Sequence, residues 1–291
     1  MRYTIKNEYL NIEIDNHGAE LKRINSKNYE FLHDSNPLFW GRSAPYLFPN
    51  IGTIKDKYTI IDGTKYPLTK HGFIRDVDFE LQELKDTEIT FSFISNDFTK
   101  NLYPFDFKFI VNYKLVEKKL ETTIEITNLS ETEMPFNFGL HPAFKIPFDN
   151  KSEFEAFEID FDKQISAQLP TVNLSDGTID WNKTYKTLKN IKNLKLNHED
   201  YSNDALVIEP CPKHISINSP TGKSIEVITK DFLTLGIWTP YPLKAPFICI
   251  EPWIGCADKP TTNHEFNTKK DLITLYKNSK WMTSFIYKFN F

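Results

Sequence analysis

The chain has 291 residues, 35 of them basic and 39 acidic, for a net charge of −4. No dense basic run appears, so nucleic acid and anionic membrane surfaces are not expected partners. With 40% hydrophobic and 25% charged residues the chain reads as an ordinary globular protein, and nowhere do about 18 apolar residues run together to span a membrane. The three cysteines, Cys211, Cys249 and Cys256, are odd in number and match no disulfide framework or zinc ribbon. Such usage suits a reducing compartment. The opening MRYTIKNEYL has no apolar core of a signal peptide, so the expected location is cytoplasmic.

Aromatic residues make up 14% of the chain, with 24 Phe and 13 Tyr, which leans toward half-buried β surfaces. In chain order, Asp62-Gly63 lies between Tyr58–Ile61 and Thr64–Leu68, a strong hairpin signal. Ile89, Phe91 and Phe93 alternate with polar residues. Phe105, Phe107, Phe109, Val111, Tyr113 and Leu115 then recur at every second position, broken only by Ile110. After a charged turn at Glu117–Lys118, Leu120, Thr122, Ile124 and Ile126 repeat the pattern, which predicts antiparallel pairing of the two segments. Short helical turns are expected near Tyr185–Leu194 and Asp271–Leu275. Ile215 with Ile217, Ile225 with Val227, and the closing Phe285, Tyr287, Phe289 and Phe291 read as further strands. There is no repeat, no low-complexity segment and no Gly- or Ser-rich linker. The expectation is a single all-β domain over 1–291, folded as a sandwich of antiparallel sheets with loops at its ends.

Three segments could carry chemistry. Lys70-His71-Gly72-Phe73-Ile74-Arg75-Asp76 places a His, a Gly and an Arg within five residues, and Arg offers a planar fork of donors. Taken alone, it is as readily a surface accident. In Phe138-Gly139-Leu140-His141-Pro142-Ala143-Phe144, a His suited to proton transfer near neutral pH sits between a Gly and a Pro, which can aim it out of a sheet. The competing reading is a satisfied core His near a turn. In Pro246-Phe247-Ile248-Cys249-Ile250-Glu251-Pro252-Trp253, an apolar run delivers one carboxylate at its end. Desolvation there raises the carboxyl's pKa toward the range of a general base, whereas a solvent-facing Glu at a strand end is the plainer alternative. Trp238 is suited to stacking on a sugar face or to core filling, and Asp204 reads by itself as a turn residue. No G-x-S-x-G, P-loop, G-x-G-x-x-G or H-E-x-x-H appears. The seven His are scattered, and nothing in their spacing supports a metal site.

Taken together, the ordered segments HGFxR (His71 to Arg75), GLHPxF (Gly139 to Phe144) and IEPW (Ile250 to Trp253) resemble the aldose 1-epimerases, most closely their LacX-like branch. FWGRSAPYLFPNIG (Phe39 to Gly52), LGIWTP (Leu235 to Pro240) and NHEFNTK (Asn263 to Lys269) are similar to the same branch, so the resemblance covers nearly the whole chain. It implies a galactose-mutarotase-like β-supersandwich with a site on an open concave face, and a small-molecule sugar, a hexose or hexose phosphate, as partner. By position it implies Glu251 as general base, His141 as general acid, His71 as a second substrate-positioning His, Asp204 as a holder of a sugar hydroxyl and Arg75 as a nearby basic residue. Trp238 would stack on the sugar. One departure stands out. Mutarotases proper carry an Arg after a Gly in the segment matching Asn50–Lys55, whereas here Gly52 is followed by Thr53. Lys55, Lys57, Arg42 and Arg75 are the candidates to replace that charge.

The implied activity is interconversion of α and β anomers by ring opening and reclosure. A base and an acid on opposite sides of the anomeric centre suffice for it, with His141 starting protonated and Glu251 ionised, each favouring the other's charged state. No redox or phosphoryl transfer occurs, so no cofactor and no metal is expected. The alternatives are a hexose-6-phosphate 1-epimerase, a non-catalytic sugar-binding or sensing protein on the same fold, and a polysaccharide lyase or hydrolase of similar architecture. Monomer and homodimer are equally compatible with the sequence.

Overall fold

The computed structural model describes all 291 residues. Strict alternation produces its most regular strands. Phe107–Val116 buries Phe107, Phe109, Val111, Tyr113 and Leu115 on one face. It pairs antiparallel with Lys119–Asn128, which buries Leu120, Thr122, Ile124 and Ile126. The turn between them takes Glu117 into the left-handed region at φ 52°. These strands lie within a nine-stranded antiparallel sheet ordered Ile179–Lys195, Glu158–Val172, His214–Asn218, Ser224–Ile228, Lys280–Asn290, Lys119–Asn128, Phe107–Val116, Glu88–Ile94 and Glu80–Leu84. The Asp62-Gly63 hairpin forms as expected, joining Thr59–Ile61 to Thr64–Tyr66.

A second, six-stranded sheet follows the order Leu206–Ile208, Thr234–Trp238, Phe247–Ile254, Phe138–Leu140 and Tyr46–Leu47, with Ala143–Lys145 also paired to Phe247–Ile254. The two large sheets meet through aromatic rings: Phe48 lies 5.0 Å from Phe107 and 5.6 Å from Phe109, and Phe138 lies 5.3 Å from Trp281, centroid to centroid. One core of 66 buried residues extends from Ile5 to Phe289. Alternation divides the six-stranded sheet. Phe138, Leu140, Leu206, Ile208, Leu235, Ile237, Ile248 and Ile250 enter that core. Their neighbours Gly139, Val207, Gly236, Trp238, Cys249, Glu251 and Trp253 therefore face the opposite side of the sheet.

Two expectations fail. Tyr185–Leu194 is not helical but part of the 17-residue strand Ile179–Lys195. Leu188, Ile191 and Leu194 recur every third residue, which mimics a helical stripe. The strand reaches this spacing through register shifts against Glu158–Val172 and a left-handed Asn190 at φ 50°. Near Asp271–Leu275, Asp271 is also left-handed at φ 53°, and Ile273–Leu275 pairs with Met134–Phe136. The one α-helix, Asp97–Lys100, is a single turn closed by a reciprocal cap between Asn96 and Thr99. No helix is long and apolar enough to cross a membrane.

Candidate active site

The strand Phe247–Ile254 is buried at all eight positions, so its one carboxylate is delivered into apolar surroundings. Glu251 is 2% exposed and faces the outer side of the sheet between Cys249 and Trp253. His141 follows the neighbouring strand Phe138–Leu140, where its N–H donates to the Pro45 carbonyl at 3.1 Å. Its Nε2 lies 3.2 Å from Glu251 Oε2, within proton-transfer reach. The His71 ring stands edge-on to His141, 5.4 Å between centroids. His71 holds a left-handed backbone, φ 69°, and its Nδ1 accepts the Gly52 N–H at 3.1 Å. That bond leaves the proton on Nε2, so His71 offers a donor to a ligand oxygen.

These groups border a cavity of about 370 Å³, a size suited to a small ligand. Glu251, His141, His71, Arg75, Asp204 and Trp238 all line it. The structure thus gathers every site residue anticipated from the sequence. Asp204 sits in a left-handed turn, φ 65°, its Oδ1 accepting the Ala205 N–H at 2.8 Å. Arg75 donates to the Lys70 carbonyl at 2.7 Å, bracing the segment that carries His71. Of the cations proposed to replace the Arg absent at Thr53, Arg42 and Arg75 border the cavity, while Lys55 and Lys57 do not. Lys55 is turned away because its Nζ donates to the Pro260 carbonyl. Thr53 itself lines the cavity, against Gly177.

Several lining residues were not singled out from the sequence, Trp40, Lys70 and Trp253 among them. The Trp40 ring stacks on His141 at 4.5 Å and 25°, with Trp238 edge-on to both. His33 Nε2 donates to the Trp40 carbonyl at 3.0 Å, anchoring that residue. Lys70 precedes His71 and brings an exposed ammonium. Trp253 lies two residues beyond Glu251 and so on the same face; this period-2 spacing was its available signal. The far wall comes from Val172, Gly177 and Ile179, around the turn joining the two long strands. It is tied down by reciprocal bonds between Asn203 and Val172, at 3.2 and 3.1 Å.

Burial dominates the electrostatics. It pushes the Glu251 carboxyl well above the usual carboxylate range, with Lys70 opposing and Asp204 adding to the rise. It holds His141 well below 6.5, Arg75 and Lys70 acting in the same direction. His71 is lowered likewise, by burial first and His141 second. Burial therefore works against the expected starting state, a protonated His141 beside an ionised Glu251. Desolvation, the largest cause for each, biases both groups toward neutrality. The neutral pair and the ion pair differ only by one proton moved across 3.2 Å.

A buried imidazole–carboxyl pair, two Trp rings and several hydrogen-bonding groups around a small cavity are the features that suit a polar ligand with apolar faces, such as a sugar. The aldose 1-epimerase family model matches residues 1–288, and the chain belongs to that family. A sugar epimerase or mutarotase function follows from this membership. Protein LacX of Lactococcus lactis subsp. lactis, plasmid form, is 31% identical over 280 residues, 93% of this chain and 92% of that protein. Among solved structures, a galactose mutarotase related enzyme from Lactobacillus acidophilus is 31% identical with a TM-score of 0.95, covering 100% of this chain and 98% of the other. A galactose mutarotase-like protein from Lactobacillus casei ATCC 334 is 27% identical with a TM-score of 0.90, covering 100% of both chains.

Proposed function

We propose that this protein is an isomerase that interconverts the α and β anomers of a hexose, with Glu251 and His141 as its acid–base pair. The observation that carries this reading is their 3.2 Å separation on the floor of the cavity. Ring opening removes the proton from the C1 hydroxyl and adds one to the ring oxygen. Both oxygens hang on the same carbon, so neighbouring groups can serve them as well as groups on opposite sides can. Glu251, ionised once the pair's proton rests on His141, takes the hydroxyl proton; His141 gives its proton to the ring oxygen. The C1–O5 bond breaks, the aldehyde rotates about C1–C2, and reclosure reverses the transfers. Lys70 favours the carboxylate during this exchange. His71 Nε2 and Asp204 hold hydroxyls, and Trp40 and Trp238 pack the ring.

A substrate phosphorylated at C6 is the second reading. It is favoured by Arg42, Lys70 and Arg75 bordering one cavity, with Asp76 as the carboxylate against both arginines. The core from Ile5 to Phe289 supports reading the chain as one working domain, and the three buried free cysteines support a cytoplasmic setting.

The test is polarimetry on freshly dissolved α-hexose and α-hexose 6-phosphate. Glu251→Gln should lower the catalysed rate at least about 10²-fold while the fold is retained. A variant with wild-type rates on both sugars would remove Glu251 from the role of base.

A further inference from the structure

Beside His141 and Glu251, just behind the residues that line the cavity, lies a third group that the acid–base chemistry does not use. Cys249 lies two residues before Glu251 on the same side of the same strand and is fully buried. A ring nitrogen of His141, the Cys249 sulfur and a Glu251 oxygen all lie within 4.8 Å of one another. Cys211 and Cys256 each direct their S–H to the carbonyl of the following residue, at 3.3 and 3.4 Å, whereas Cys249 has no such acceptor. We infer that His141, Cys249 and Glu251 form a binding site for a thiophilic divalent cation of the zinc type, which silences the epimerase by occupying its acid–base pair.

The donor set fits the ion. One imidazole, one thiolate and one carboxylate leave a fourth tetrahedral position for an exogenous ligand. Bonds of about 2.0–2.3 Å at tetrahedral angles separate donor atoms by about 3.3–3.7 Å. His141 Nε2 and Glu251 Oε2 already stand 3.2 Å apart. The sulfur needs a shift of about 1 Å at most to complete the triad. Binding replaces the Cys249 S–H with a metal–sulfur bond and releases that proton, together with the carboxyl proton when Glu251 holds one. Nothing is oxidised or reduced, and affinity should rise with pH. Silencing rests on the proposed roles of His141 and Glu251; the site itself does not.

Metal-free protein is titrated with Co²⁺ alone and with Zn²⁺ alone. One Co²⁺ per chain should give tetrahedral visible bands and a near-ultraviolet thiolate-to-metal band. Cys249→Ala should lose the near-ultraviolet band and weaken Zn²⁺ about tenfold or more in equilibrium dialysis. The same variant should keep metal-free anomer interconversion near the wild-type rate, and chelation should restore Zn²⁺-treated wild type. A wild-type cobalt spectrum without a thiolate band overturns the site, whether or not the variant folds; so does equal Zn²⁺ affinity in a folded Cys249→Ala. If the thiolate band appears but metal-free protein has no epimerase activity, the site stands and the functional reading falls.

Discussion

His71 combines a backbone demand, a ring donor at the cavity and a pH response in one residue. Its left-handed conformation suits Asn better than most residues, and an Asn carbonyl can also accept the Gly52 N–H. His71→Asn should therefore fold while losing the Nε2 donor. We expect KM for the hexose to rise about tenfold with a smaller change in kcat, measured by polarimetry over a range of sugar concentrations. The same residue bears on stability. His71 and His141 are held below their ordinary 6.5, so below that pH the unfolded chain binds more protons than the folded one. Their stability contribution is complete above pH 6.5 and is lost as pH falls toward the folded values. His71→Asn should flatten the decline of stability below pH 6.5 in urea titrations. Glu251 has the opposite sign. Its raised pKa gives a contribution that is complete below the ordinary carboxylate range and is lost as pH rises through the folded value. Glu251→Gln should accordingly unfold at higher urea than wild type near neutral pH, even as activity collapses.

At the scale of the element, the six-stranded sheet makes room for Trp253 by placing glycine beside it. A Cβ at Gly236 would meet the Trp253 ring at 2.5 Å, and one at Gly139 would meet it at 2.8 Å. Gly236 stands opposite Glu251 in the ladder, and Gly139 stands opposite Trp253. Gly236→Ala should cost about 1–3 kcal/mol in urea unfolding through overpacking, and should lower kcat by displacing Trp253 beside Glu251. The rest of that face was readable from period 2: once Ile250 is assigned to the core, Glu251 and Trp253 must face away from it. The wall built from Val172, Gly177 and Ile179 was not readable. Its strands carry bulges, and their apolar residues keep no single period.

Across the whole molecule, three sheets are tied by one chain of hydroxyls. Tyr46 of the site sheet donates to Tyr113 of the nine-stranded sheet at 2.7 Å, and Tyr113 donates to the Ala19 carbonyl at 2.7 Å. Ala19 adjoins Glu20–Asn25, the third strand of the N-terminal sheet. Tyr113→Phe leaves two buried groups unpaired and should cost about 1–3 kcal/mol in urea unfolding. It should leave kcat/KM near wild type, because this link lies on the core side of the site sheet. The sequence by itself determined the β architecture, because alternation dictates which side chains a strand can bury. Through three ordered motifs it also determined which acid, base and sugar-holding residues to expect. Only the tertiary structure decided that those residues share one cavity, since His71, His141, Asp204 and Glu251 come from segments far apart in the chain. It also decided that His141 and Glu251 are neighbours and that burial biases both toward neutrality. Separation and desolvation are properties of packed atoms, and residue order does not carry them.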